Sequence, residues 1–105
     1  MRISEDAQKL LKRHNSLFKN PVLLIYYSKS KGWWGIQRKV QVKQDENPFQ
    51  NPTHMHYEKV DFIRYPIPNE PRPIYLDKEM EELVEKGVIT LKKLGMYKYL
   101  ILDYD

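Results

Sequence analysis

The chain has 105 residues, of which 41% are hydrophobic and 30% are charged, and this composition predicts one globular domain over residues 1–105. It has no cysteine, which excludes disulfides, cysteine nucleophiles and thiolate-bound metal clusters. No segment approaches the roughly 20 apolar residues of a transmembrane helix. The charged N-terminus lacks a secretory signal, so we expect a cytoplasmic protein that does not bind membranes.

The positive charge of the chain is concentrated in one segment. The formal net charge is +4, from 18 Lys and Arg against 14 Asp and Glu. Residues 9–43 contain nine basic residues and no acid. A basic segment of this kind permits binding to nucleic acid or to another anionic surface, but it does not establish either.

The first predicted element is a helix that begins at Ser4. The serine can cap free backbone N–H groups, and the acids Glu5 and Asp6 favour the positive end of the helix dipole. Asn20-Pro21 ends this segment, because the residue before a proline is disfavoured in the helical region. Between Ser4 and Asn20, apolar residues repeat at helical spacing: Ala7, Leu10, Leu11, Leu17 and Phe18.

A hairpin is predicted next. The continuous apolar run "VLLIYY", Val22–Tyr27, is typical of a central strand that is buried on both faces. After the turn segment "SKGWWG", residues 36–43 alternate in polarity, which predicts a strand with one face toward the core. The residues of that face are Ile36, Arg38, Val40 and Val42.

The remainder of the chain predicts strands over residues 57–67, 73–77, 88–95 and 96–104. A second helix is predicted over residues 78–86, capped by Asp77 and ended by Gly87 in a left-handed conformation. The predicted fold is therefore α+β, with two short helices and about six mostly antiparallel strands.

Residues 71–102, "PRPIYLDKEMEELVEKGVITLKKLGMYKYLIL", together with the opening helix, resemble the HesB-like fold of the A-type iron–sulfur carriers. The resemblance places 73–77 in a late strand of that fold, 80–84 in its short helix and 88–90 in the following strand. Members of the family bind iron or a cluster through a cysteine in a glycine-rich hairpin tip and a cysteine pair near the C-terminus. This chain has Gly32-Trp33-Trp34-Gly35 at the tip and no cysteine, so we expect the scaffold without a cluster or other cofactor.

Trp33 and Trp34, with the nearby cations Lys29, Lys31 and Arg38, are the first candidate binding site. Adjacent residues of an extended segment point to opposite faces, so at least one indole should be exposed. The rings could instead cover the sheet or the first helix. Exposed tryptophans beside cations would suit either an acidic protein partner or stacked bases on a phosphate backbone.

His54 and His56 form a second candidate site, because imidazoles two residues apart on an extended segment could share a metal ion. No third ligand can be named, and solvent-exposed loop histidines are the simpler explanation of the pattern. The chain has no GxGxxG, P-loop, GxSxG or HExxH motif, so no catalytic residue is assigned.

Three hypotheses follow for the function. The first is a non-catalytic binding or adaptor protein with a HesB-like scaffold, which engages a protein partner or a small ligand through the Trp33–Trp34 tip. The second is a small nucleic-acid-binding protein that uses residues 9–43 and the same tryptophans. The third is a metal-handling protein that uses His54 and His56. An exposed edge strand or the tryptophan pair would also allow a homodimer.

Overall fold

The computed structural model describes residues 1–47, 60–68 and 70–104. Within these residues the chain is an α+β protein with one α-helix and seven strands in two mixed sheets, in agreement with the predicted fold class. Two 3-10 helices, Asn15–Leu17 and Lys78–Met80, follow α1 and β5. The other elements are β1 (Arg2–Ile3), α1 (Glu5–His14), β2 (Pro21–Gly32), β3 (Gly35–Glu46), β4 (Phe62–Arg64), β5 (Ile74–Asp77), β6 (Val88–Leu94) and β7 (Tyr97–Asp103).

Helix α1 begins as its sequence predicts. Ser4 is the N-cap, and its hydroxyl oxygen accepts a hydrogen bond from the backbone N–H of Ala7 at 3.3 Å. Ala7, Leu10 and Leu11 are the buried face of the helix. A 3-10 helix extends the helical region, and Asn20, with φ of +53°, then turns the chain into β2.

The four-stranded sheet has the order β3-β2-β5-β4, so β2 is a central strand, as predicted. It pairs antiparallel with β3 and parallel with β5, and β5 pairs antiparallel with β4. Leu23 and Ile25 face the main core, whereas Val22 and Leu24 form a smaller cluster on the opposite face. The continuous apolar run is therefore buried on both faces.

The three-stranded sheet has the order β1-β6-β7, with β1 parallel and β7 antiparallel to β6. Helix α1 and both sheets contribute to one core. Its fully buried members are Ala7, Leu11, Leu23, Ile25, Ile74, Leu76, Met80, Val84 and Ile89.

The predicted second helix is a 3-10 helix, Lys78–Met80, that continues as turns through residue 86. Met80 and Val84 of this segment are nevertheless fully buried. Gly87 is not in the left-handed region, because the described glycines with positive φ are Gly35 and Gly95. A Cβ at Gly87 would lie 2.7 Å from Cδ1 of Leu102, so this glycine allows close packing instead.

The predicted strands differ from the observed ones in length. Of residues 57–67, only Phe62–Arg64 form the observed β4, and residues 57–59 lie outside the described part of the chain. In β3, Val40 and Val42 pack against the core as predicted, but Ile36 and Arg38 are exposed. The hairpin thus extends past the edge of the core. Among the described residues, no helix has the length and apolar content needed to cross a membrane.

Candidate binding hairpin

The outer part of the β2–β3 hairpin, residues 28–39, projects from the sheet and is called the distal arm here. Strands β2 and β3 pair along their whole length, from Pro21 opposite Glu46 to Gly32 opposite Gly35. Strand β5, however, pairs with β2 only as far as Ile25. Since a strand rises about 3.4 Å per residue, the arm carries its tip roughly 13 Å beyond Ser28.

The tip of the distal arm exposes both tryptophans. Trp33 is 93% exposed and Trp34 is 59% exposed. Their ring centroids are 5.4 Å apart and their planes meet at 79°, so the indoles form an edge-to-face pair. The prediction that at least one indole is exposed is confirmed, and neither ring is buried in the core.

The two glycines of the tip have different roles. Gly35 has φ of +121°, a conformation that other residues rarely adopt, and it allows the chain to turn back. A Cβ at Gly32 would lie 2.9 Å from Cε2 of Trp34, so the absence of a side chain lets that indole lie against the backbone. This contact explains why Trp34 is less exposed than Trp33.

The three cations predicted for the site are not equivalent. The Arg38 guanidinium lies 5.8 Å from the ring centroid of Tyr27, and its Nη1 is 3.5 Å from Oε2 of Glu79. The Arg38 side chain is therefore held against Tyr27 and Glu79. Lys29 and Lys31 are exposed, and neither has an ion-pair partner among the described residues.

Lys29 lies directly opposite Arg38 in the β2–β3 ladder. Like charges in this arrangement repel each other. Glu79 compensates Arg38, but it leaves Lys29 as an excess positive charge on the arm. Lys39 adds a further exposed cation opposite Ser28. The arm therefore combines an open aromatic tip with a positive stem.

A groove of about 610 Å³ beside the stem was not predicted from the sequence. One wall is β2 from Tyr26 to Lys29, and the other contains Val60, Asp61 and residues 77–79. Asp77 is buried at its inner end, where Oδ2 accepts a hydrogen bond from the Tyr27 backbone N–H at 3.3 Å. The groove thus begins where β5 ends.

A second exposed apolar surface, also missed in the sequence, is the tip of the β6–β7 hairpin. Met96 is 99% exposed, and Leu94, Tyr97 and Tyr99 beside it are exposed as well. Gly95, with φ of +60°, makes the turn. The sequence predicted the two strands, over residues 88–95 and 96–104, but it did not predict that the core would end before the tip.

The proposed metal ligands His54 and His56 lie outside the described residues, so this hypothesis stays a prediction. In the described part of the chain, no three His, Asp or Glu side chains come together in a way that could hold a metal ion. The iron–sulfur cluster of the HesB-like family does not fit this chain, because there is no cysteine to bind it.

No protein-family model matches the chain, and no curated protein matches its sequence. The function therefore has to be inferred from the geometry of the site.

Proposed function

We propose that the protein is a non-catalytic binding or adaptor protein that holds a protein partner with the distal arm. The observation that carries this proposal is the exposure of Trp33 and Trp34 at a projecting tip. Tryptophan dominates the binding energy of many protein interfaces, because its large ring gains much from leaving water. The glycine-bounded turn holds both indoles in water. They form an apolar surface that a partner would cover.

The resemblance to the HesB-like family belongs to the same proposal. The order of opening helix, hairpin, late strand, short helical segment and two closing strands supports it. In this account the chain is a relative that keeps the scaffold and has exchanged the cysteine at the hairpin tip for the tryptophan pair. Since fold alone does not carry function, the tip must be tested directly.

Nucleic acid is the second candidate partner, favoured by the positive stem beside the indoles. Lys29, Lys31 and Lys39 could contact phosphates while a base stacks on an indole. Binding of this kind weakens steeply with salt, with a log–log slope near −0.7 per phosphate contact on single strands. A mainly apolar protein interface would be much less sensitive.

The test is affinity capture from nuclease-treated lysate with three immobilised proteins: the wild type, a Trp33→Ala/Trp34→Ala variant and a Leu94→Ala/Met96→Ala control. The control removes equally exposed apolar side chains from the other hairpin tip. We expect a partner that the wild type and the control capture, with at least about thirtyfold weaker binding to the tryptophan variant. A partner that binds all three equally would refute the role of the distal arm, and a partner lost on nuclease treatment would favour nucleic acid.

A further inference from the structure

The edge of β2 that faces away from β3 is the second unusual feature of the distal arm. The Leu23 backbone N–H donates to the carbonyl of Pro73, and the Tyr27 N–H donates to Asp77, so both point toward the β5 side. Backbone groups alternate direction along a strand. The N–H and C=O groups of Lys29 and Lys31 therefore point to the same side, where no described strand pairs with them.

The groove lies along this edge. It starts at Asp77, the last residue of β5, and is bounded on its far side by Val60, Asp61 and Lys78. Arg38 of β3 forms its ion pair with Glu79 of this far wall. The Tyr27 backbone N–H donates to the Asp77 carboxylate, where a longer β5 would offer a backbone carbonyl. A chain in extended conformation could occupy this space and continue the interrupted ladder from Lys29 onward.

The charges along the edge select the occupant. A second copy of the chain that paired β2 antiparallel with β2 would bring Lys29 and Lys31 against the same lysines, and like charges opposite each other are unfavourable. The acids on the far wall are engaged in part, because Asp77 accepts two backbone N–H groups and Glu79 pairs with Arg38. Asp61 is the remaining acid of that wall, and the positive charge of Lys78 in the same wall offsets it.

We propose that the edge of β2 at Lys29–Lys31 binds an extended peptide as an added strand, and that the peptide has acidic residues at alternating positions. Residues two apart in the added strand lie on one face, where their carboxylates meet Lys29 and Lys31. The main-chain hydrogen bonds would give affinity, and the two lysines would give specificity. This inference rests on the proposed function and names the chemistry of its partner.

The probe is a fluorescein-labelled peptide of about eight residues that alternates glutamate and valine, titrated into the full chain. Hydrogen exchange of backbone amides is followed by NMR in the same samples. We expect the Lys29 and Lys31 amides to exchange at least about tenfold more slowly with peptide bound, because free-edge amides become hydrogen-bonded. N-methylation of alternate peptide residues should abolish that protection.

Two variants with the same charge change separate edge binding from general attraction. Lys29→Glu/Lys31→Glu should bind the probe at least about tenfold more weakly, whereas Lys92→Glu/Lys98→Glu, on the other hairpin, should bind it within about twofold of wild type. No binding of the probe, or equal weakening by both variants, would overturn strand addition.

The outcomes also distinguish this inference from the proposed function. If the peptide changes the resonances of Trp33 and Trp34 without protecting the Lys29 and Lys31 amides, strand addition is wrong and the arm still binds through its tip. If an oligothymidylate protects these amides and the acidic peptide does not, the peptide proposal is wrong and nucleic acid is favoured. The capture experiment tests the proposed function independently, because its outcome depends on the indoles and not on the edge of β2.

Discussion

Gly87 lies at a close packing contact in the second half of the chain. Its buried position brings the backbone against Leu102 of β7, and its carbonyl accepts the N–H of Arg2 in β1 at 3.0 Å. A Cβ there would also lie 3.1 Å from the Val84 carbonyl oxygen. The absence of a side chain therefore lets the turn 81–86, β1 and β7 meet.

Replacing Gly87 with alanine should lower the free energy of unfolding by about 1–3 kcal/mol, because the new methyl group overpacks this contact. Urea denaturation measures the change. The neighbouring Lys86→Ala is the control, since Lys86 is exposed and its replacement should change stability by less than about 0.5 kcal/mol. Equal stability of the two variants would show that Leu102 moves aside without cost.

Asp6 provides a prediction on pH at the residue scale. The hydrogen bond from the Ser4 hydroxyl, helped by the Ala7 N–H, lowers the pKa of the Asp6 carboxyl below its ordinary value of 3.8. A lowered pKa in the folded state means that ionised Asp6 contributes stability above pH 3.8. That contribution is lost as the pH falls through the lowered pKa.

Ser4→Ala should therefore raise the pKa of Asp6 toward 3.8, as measured by NMR titration of its carboxyl carbon. Ser16→Ala, at an exposed site in the 3-10 helix after α1, should leave this pKa unchanged. An Asp6 pKa that is the same in wild type and Ser4→Ala would contradict the assigned cause.

At the scale of elements, a buried polar cluster joins α1, β3 and the segment before β5. Arg72 forms an ion pair with Glu70, and their side chains are 7% and 6% exposed. The Arg72 Nε also donates to the Asn15 side chain at 2.8 Å, and Gln44 donates to the same oxygen at 2.9 Å. These hydrogen bonds join segments that are far apart in sequence, although the buried Oε1 of Gln44 has no hydrogen-bond partner among the described residues.

Arg72→Met should destabilise the fold by about 3–5 kcal/mol, because it leaves the Glu70 carboxylate buried without its partner. The double variant Glu70→Leu/Arg72→Met should recover part of the loss, since no unpaired charge then remains. Urea denaturation of both, beside Lys9→Met from the exposed Lys9–Glu5 pair as control, measures the effect. An Arg72→Met loss no larger than the control would contradict the account.

At the scale of the whole molecule, the fold was predictable wherever the sequence pattern involves only neighbouring residues. The cap at Ser4 and the apolar run in β2 each follow from neighbouring residues. The 3-10 helix after Asp77 was not predictable. A helical segment this short is marginal by itself, and tertiary packing of Met80 and Val84 decides its form.

The candidate site was only partly predictable for a related reason. The polarity pattern of β3 continues through Ile36, but the core ends near Val40, so the pattern alone assigned Ile36 and Arg38 to the wrong environment. The groove depends on where β5 stops relative to β2. That register is set by long-range pairing and leaves no signal in either segment alone.

The most direct measurement of the central claim is tryptophan fluorescence of two single-tryptophan variants, Trp34→Phe and Trp33→Phe, with acrylamide quenching. The account predicts red-shifted emission from both, with Trp33 quenched almost as a free indole and Trp34 somewhat protected by its contact with Gly32. Blue-shifted emission and strong protection of both indoles would mean that the tip is folded onto the protein, and the proposed binding surface would not exist.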